Sequence, residues 1–300
     1  MSTSKPIRER LQALKKEFDE RKTGKGALLT VIDEAELPEA VYNSNAIENS
    51  TLSLPDTEKI LLEAEALVDA SPREIFEAKN LARVSAYVRE KAGSVEADKN
   101  TMLLLHKVLM TSIDDSIAGR FRQHGEYVRV GTHIAPAPEH VERMIEAALL
   151  EYGSDHETYA PDKVARFHLE FEHIHPFCDG NGRIGRVLIN WQLARLGYPP
   201  IIIRNKEKHL YYATFGAYRD RKNAKPMEKM LTLALTESLH MRIAYLRGAK
   251  IIRLSEYGRQ KKKSASALTN AARRQNIPAF REKGVWKIAS DATTSSKSTA

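Results

Sequence analysis

Apolar positions recur at helical spacing along most of this chain. Ile7, Leu11, Leu14 and Phe18 line up between Pro6 and Arg21 with charges elsewhere, which predicts an amphipathic helix. Lys22 to Gly26 breaks the pattern, and a second helix over Ala27 to Ala35 is expected to end near Pro38. Pro55 and Asp56 open a helix through Ile60, Leu61, Leu62 and Leu67 to about Val68. Pro72 opens another, through Ile75, Phe76, Leu81, Val84 and Val88 to Lys91. From Asp98 to Ser112 the run Leu103, Leu104, Leu105, Val108 and Leu109 is too apolar for a surface element, so His106 within it is expected in or near the core. The period changes between Gly119 and Pro138. Glu126 to Val130 is β-prone, Gly131-Thr132 suits a turn, and Ala135 to Pro138 stops the pairing. Helical spacing resumes over Pro138–Leu150, Pro161–Ile174, Arg183–Leu196, Tyr211–Arg221 and Pro226–Arg247. The fold class is therefore mainly α, with one small hairpin.

The chemistry concentrates in the loop between two of those helices, His175-Pro176-Phe177-Cys178-Asp179-Gly180-Asn181-Gly182-Arg183-Ile184-Gly185-Arg186. Gly180 and Gly182 permit positive φ and close approach of backbone N–H groups to a ligand. The loop opens onto a helix N-terminus, where orphan amides and the macrodipole favour an anion. Arg183 and Arg186 stand three apart and can grip successive phosphates. Asp179 is a hard oxygen ligand suited to Mg²⁺, which takes one or two protein carboxylates plus substrate phosphates. His175 has an ordinary pKa near 6.5 and can accept a proton at neutral pH. A zinc site on His168, His173 and His175 is set aside, because the spacing matches neither H-E-x-x-H nor a Cys/His finger.

This run satisfies every fixed position of H-P-F-x-[DE]-G-N-G-R-x-x-R and so resembles the Fic family. The resemblance extends in order of elements over roughly residues 30–240. It implies a Fic-type helical bundle and transfer of AMP from ATP to a protein hydroxyl. On that reading His175 is the base, Gly180, Asn181, Gly182, Arg183 and Arg186 bind the nucleotide, and Asp179 holds Mg²⁺. Cys178 fills the family's variable position, and Phe177 anchors the loop in the core. The hairpin would be the family's flap, with Val130, Gly131, Thr132 and His133 docking the target segment by main-chain pairing. Ser44-Asn45-Ala46-Ile47-Glu48-Asn49 is similar to the inhibitory pattern [ST]-x-x-x-E-[GN] of Fic proteins with an N-terminal inhibitory helix. Glu48 would pair with Arg186, with room for a two-pronged contact, and leave ATP only a misplaced pose.

Composition adds less, with one exception. Cys178 is the single cysteine, so no intrachain disulfide can form, and the chain lacks both a membrane-length apolar run and an apolar signal core. A cytoplasmic protein is expected. The net charge is +8, and residues 251–290 alone hold ten Lys and Arg against Glu256 and Glu282. Such asymmetry marks a segment with its own partner. Within it Ser264 to Arg274 suits a short basic helix, followed by Ile277-Pro278-Ala279-Phe280, a Lys283-Gly284 turn and a Trp286-Lys287-Ile288 strand. That succession is similar to the winged helix of excisionase-like proteins and implies DNA binding.

The domain reading is an N-terminal helical region over 1–95 with the inhibitory helix around 44–49, a Fic core over 96–250, a winged-helix-like module over 251–290, and a disordered tail over 291–300. The expected partners are ATP, a protein target, the chain itself as a substrate, and DNA. A homo-oligomer stays open, as do the target and the exact nucleotide donor. Two alternatives stay beside AMP transfer. Glu48 could position water for removal of AMP, or the chain could be a DNA-binding regulator switched by its own adenylylation.

Overall fold

The computed structural model describes residues 3–62 and 70–293. The expected helix end at Val68 and the tail from 294 onward lie outside the described residues. In chain order the elements are α1 (Lys5–Lys22), α2 (Gly26–Ile47), α3 (Leu54–Leu62), α4 (Pro72–Lys91), α5 (Lys99–Met110), β1 (Arg129–Val130), β2 (His133–Ile134), α6 (Pro138–Ser154), α7 (Ala160–Ile174), α8 (Asn181–Arg195), α9 (Lys208–Arg221), α10 (Lys225–Leu246), β3 (Ile251–Arg253), α11 (Leu254–Gln260), α12 (Ala265–Arg273), β4 (Ala279–Glu282) and β5 (Val285–Ala289). The expected elements are present, and three features differ. Helix α2 runs through Pro38 to Ile47 instead of stopping. A proline inside a helix costs about 3 kcal/mol, and burial of Val41 and Ile47 beyond it offsets that cost. Strand β3 and helix α11 were not foreseen; each is too short to carry a period.

The chain forms two compact units. The first is Leu37–Leu231 with the extreme N-terminus. Its core joins Leu105 and Leu109 of α5, Val141 and Ile145 of α6, Phe167, Phe171 and Ile174 of α7, and Ile184, Val187, Leu188 and Trp191 of α8. Helices α7 and α8 pack on each other, α6 and α9 lie against α7, and α4 and α5 lie against α8. The loop between α7 and α8 is thus held at the centre of the bundle. Strands β1 and β2 pair antiparallel, with Val130 opposite His133 and Gly131-Thr132 between them. Asp98 caps α5, accepting from the Thr101 amide at 2.7 Å.

The second unit is Ser4–Glu36 together with residues 232–293. Strands β3, β5 and β4 form an antiparallel sheet in that spatial order. Ile252, Leu254, Tyr257, Leu268, Ala272, Ile277, Ala279 and Ile288 make a small core between this sheet and helices α11 and α12. Phe280 and Ala289 pack against Met241 and Ala244 of α10. Arg242, fully buried, is paired with Asp33 and Glu36, both at 2.6 Å. No helix among the described residues is long and apolar enough to cross a membrane.

Candidate active site

His175 caps α7 in the left-handed region, φ 51° and ψ 63°, with its N–H donating to the Phe171 carbonyl at 2.9 Å. A side-chain-bearing residue held there costs of order 1–3 kcal/mol and persists only when its surroundings over-determine it. The buried Arg122 does so. Its Nε donates to the His175 carbonyl at 2.9 Å, its amide donates to the Pro176 carbonyl at 2.9 Å, and its Nη groups reach the carbonyls of Glu126 and Pro136. Phe177 is fully buried, as expected of an anchor. His106 stacks on its ring at 3.8 Å and 5°. The Gly119 amide donates to His106 Nδ1, so the proton sits on Nε2, which donates to the Asp179 carbonyl at 3.0 Å. Asn181 brackets the turn: its Oδ1 accepts from the Phe177 amide and its Nδ2 donates to the Phe177 carbonyl, both at 2.8 Å.

Asp179 sits at the N-terminus of α8. Its Oδ1 accepts from the Gly180 amide at 2.5 Å and from Arg183 at 3.1 Å, and its Oδ2 accepts from Arg73 at 2.5 Å. Burial pushes this carboxyl up, but Arg183, the Gly180 amide and Arg73 outweigh burial and hold it below the usual range. Arg183 is also paired with Glu77 at 3.0 Å. Among the described residues no cluster of three His, Cys, Asp or Glu side chains could hold a metal unaided. One partly exposed carboxylate beside a helix N-terminus suits an ion that arrives with phosphates, and such an ion would displace Arg73 from Oδ2.

Arg186 is buried and faces the end of α2. Its Nε donates to Ser44 Oγ at 2.9 Å, and its Nη2 donates to the Ser44 carbonyl and to Glu48 Oε1, each at 2.8 Å. The Glu48–Arg186 contact is single-pronged: Ser44 takes the Nε side, and the buried Nη1 has no hydrogen-bond partner. Glu48 lies one residue past the helix end and is itself held from behind. Tyr212 donates to the Ile47 carbonyl at 2.9 Å, and Glu74 accepts from the Thr51 amide and hydroxyl at 2.7 and 2.8 Å. A Cβ added to Gly182 would fall 2.2 Å from Glu48 Oε1, so a side chain there would push the Glu48 carboxylate from its place.

A cavity of about 120 Å³ is lined by Glu48, His175, Gly182, Arg186, Tyr211 and Tyr212, among others. A larger hollow of about 420 Å³, bordered by Glu151, Glu170, Lys222 and Glu228, does not include the loop. Burial lowers the His175 imidazole to about 4, so it is neutral at pH 7. The neighbouring Glu172 backbone opposes this shift, but burial outweighs it. The Glu172 carboxylate is 3.8 Å from Nδ1, too far for a hydrogen bond. A neutral imidazole keeps one ring nitrogen as an acceptor. Burial, with Glu48 adding to it, raises the Glu172 carboxyl to about 8. His168, buried against Tyr211, is lowered to about 3, and His106 to about 4, both by burial.

These shifts have opposite signs in stability. The three histidines bind fewer protons folded than unfolded below pH 6.5, so stability rises with pH toward that value. Glu172 binds more when folded between about 4.5 and 8, so its contribution falls over that window by up to about 1.4 kcal/mol per pH unit. Thermal midpoints measured from pH 4 to 9 should therefore peak near pH 6.5, where the histidine gain ends. In Glu172→Gln the decline from 6.5 to 8 should be absent. A decline that survives the substitution would mean Glu172 is not its source.

Val130, Gly131 and Thr132 of the hairpin are exposed, whereas His133 is buried, with Nε2 bonded to the His173 carbonyl at 2.8 Å. The structure thus brings His175, Asp179, Gly182, Arg183, Arg186, Ser44, Glu48 and the hairpin to one region. The side chain of Asn181 serves the loop itself. Sequence reasoning assigned no role to Arg73, Glu172, Tyr211 or Tyr212, and placed His106 without one. Arg122 lies in the run Gly119-Arg120-Phe121-Arg122, which resembles the family.

Residues 96–193 match the family described as Fic/DOC. "Protein adenylyltransferase Fic" of Nematostella vectensis is 36% identical over 180 residues, 57% of this chain and 41% of that protein. Its namesake in Drosophila sechellia is 32% identical over 260 residues, 83% of this chain and 51% of that protein. The chain spans about half the length of the curated relatives it matches or less. Among solved structures, a Fic-domain-containing signaling protein of Bacteroides thetaiotaomicron superposes with a TM-score of 0.71 at 22% identity, over 81% of this chain and 97% of that one. A Fic family protein of Desulfovibrio desulfuricans gives 0.68 at 22% identity, over 96% and 97%. These two likenesses concern the fold.

Proposed function

Because residues 96–193 are a Fic/DOC domain, we propose that this chain transfers AMP from ATP to a Ser, Thr or Tyr hydroxyl of a protein target, and to itself. The observation that supports this most directly is that His175, with an acceptor nitrogen, and Arg186 line one cavity. In the proposed step the unprotonated ring nitrogen of His175 takes the hydroxyl proton as the oxygen attacks the α-phosphorus. The new O–P bond forms as the bond to the β-phosphate oxygen breaks, and pyrophosphate leaves. The α8 N-terminal amides and Arg183 face the developing charge, and Arg186 orients the γ-phosphate. Asp179 would hold magnesium, which supplies neutralisation of the phosphate charge. Tyr211 and Tyr212 border the cavity and are the candidates to flank the nucleotide. The hairpin edge at Val130 to Thr132 is the candidate dock for the target backbone.

We read Glu48 as an internal inhibitor. Its carboxylate holds Arg186 and lies against Gly182. The cavity beside it is smaller than the roughly 300–1,000 Å³ of small-molecule sites. The test of the transfer reading uses α- and γ-labelled ATP with Mg²⁺. Label from α-ATP but not from γ-ATP should appear on protein, whereas label from γ-ATP would mean phosphoryl transfer instead.

A second reading concerns the basic second unit, which we take as a contact for nucleic acid. The order of its sheet, β3-β5-β4, around a pair of short helices favours it.

A further inference from the structure

Resting on that nucleic-acid reading, we propose that residues 251–289 bind double-stranded DNA, with α12 in the major groove and the β4–β5 hairpin along the neighbouring backbone. Three observations lead there. The first is local architecture. Helix α11, the Lys261–Lys263 turn and α12 form a tight helix–turn–helix. Lys262 takes a positive φ of 51°, Ser264 caps α12, and a Cβ on Gly258 would meet Leu268 at 3.0 Å. Lys283 and Gly284, both at positive φ, close the β4–β5 hairpin as the two-residue turn that matches strand twist.

The second is which side chains this architecture leaves outside. Leu268 and Ala272 are buried in the unit's own core, so α12 presents Ser266, Asn270 and Arg273, spaced four and then three residues apart, to solvent. Asparagine is a side chain that reads adenine edges, and Arg273, at the end of the helix, is assigned to phosphate. The third is charge. Arg259, Lys261, Lys262, Arg273 and Arg274 are exposed around that face. The acids of the segment are engaged elsewhere: Glu256 accepts from Gln260, Glu282 takes Lys287 and Tyr245, and Asp291 takes Arg247. The face is a cation surface in search of a polyanion.

Geometry selects the duplex. A helix about 10–12 Å across fits the ~12 Å major groove of B-DNA, whereas the major groove of A-form RNA is too deep and narrow for it. Binding of single strands relies on exposed aromatic platforms. Here Tyr257 and Phe280 are buried, and the Trp286 ring is covered by the Arg281 guanidinium at 4.7 Å.

The experiment is fluorescence anisotropy of a labelled mixed-sequence 20-bp DNA duplex with the full chain between 50 and 200 mM NaCl. Five phosphate contacts predict a log–log salt slope of about −4.5. Arg273→Glu/Arg274→Glu should weaken binding at least tenfold and flatten the slope by about 2, with the thermal midpoint and AMP transfer unchanged. Arg273→Gln/Arg274→Gln, milder on the helix, serves if the first pair fails to fold. Equal binding of single-stranded DNA or duplex RNA, or indifference to both pairs of substitutions, would overturn the groove assignment and leave a general nucleic-acid contact. Absence of binding to any of the three at 50 mM salt would overturn the nucleic-acid reading with it.

Discussion

Replacing Glu48 by glycine should raise AMP transfer about a hundredfold. On the proposed reading Arg186 orients the γ-phosphate, and its Nη2 is bonded to Glu48 and Ser44. On that reading, Glu48 in place would displace the phosphates from it. A displacement of ~1 Å at a reacting centre can cost on the order of 10²-fold. Ser44 remains to orient Arg186 in the variant, so the arginine is not left wholly without partners. Incorporation of α-label into the protein itself and into a lysate measures the effect. If Glu48→Gly labels nothing, inhibition is the wrong role for this carboxylate, and water activation for AMP removal becomes the leading account, to be assayed as AMP release from a labelled target.

Replacing His175 by alanine, in the Glu48→Gly background, should reduce transfer by 10²–10⁴-fold, the usual contribution of a positioned general base. The pH profile carries the finer prediction. Burial holds this imidazole at about 4, so it is already unprotonated through the neutral range. The acid limb of kcat/KM should therefore fall near pH 4 and not near 6.5, because protonation removes the acceptor only below the folded-state value. A limb at 6.5 would mean that the ring is solvated in the active form, or that another group is the base. Residual transfer after His175→Ala would reflect nucleotide placement by the α8 N-terminus and its arginines.

How much of this was legible in the sequence depends on the range of each interaction. The α7–loop–α8 segment could be read because its parts lie within twelve residues, and its glycines, arginines and carboxylate have steric and electrostatic uses that do not depend on what surrounds them. The Gly131-Thr132 turn was legible for the same reason, since turn chemistry is local. Helix α2 was misjudged at Pro38 because a proline's local cost is visible in the sequence and the burial of Val41 and Ile47 is not. His106 was expected inside the core, but its two hydrogen bonds run to Gly119 and Asp179, thirteen and seventy-three residues away. No spacing rule reaches that far.

By itself, then, the sequence determined the mainly helical class, the loop with its base, carboxylate and arginines, and the carboxylate at Glu48 as their candidate partner. The tertiary structure alone decided the conditions under which those groups act. It set the burial that keeps His175 neutral, which arginine shields Asp179, and how one edge of Arg186 is taken by Ser44. It also placed the basic residues of the second unit around an exposed helix face. The physical reason is that residue type and short spacing encode what a group can do, whereas burial and long-range hydrogen bonds set its charge, its partners and its direction, and these exist only once the chain has folded.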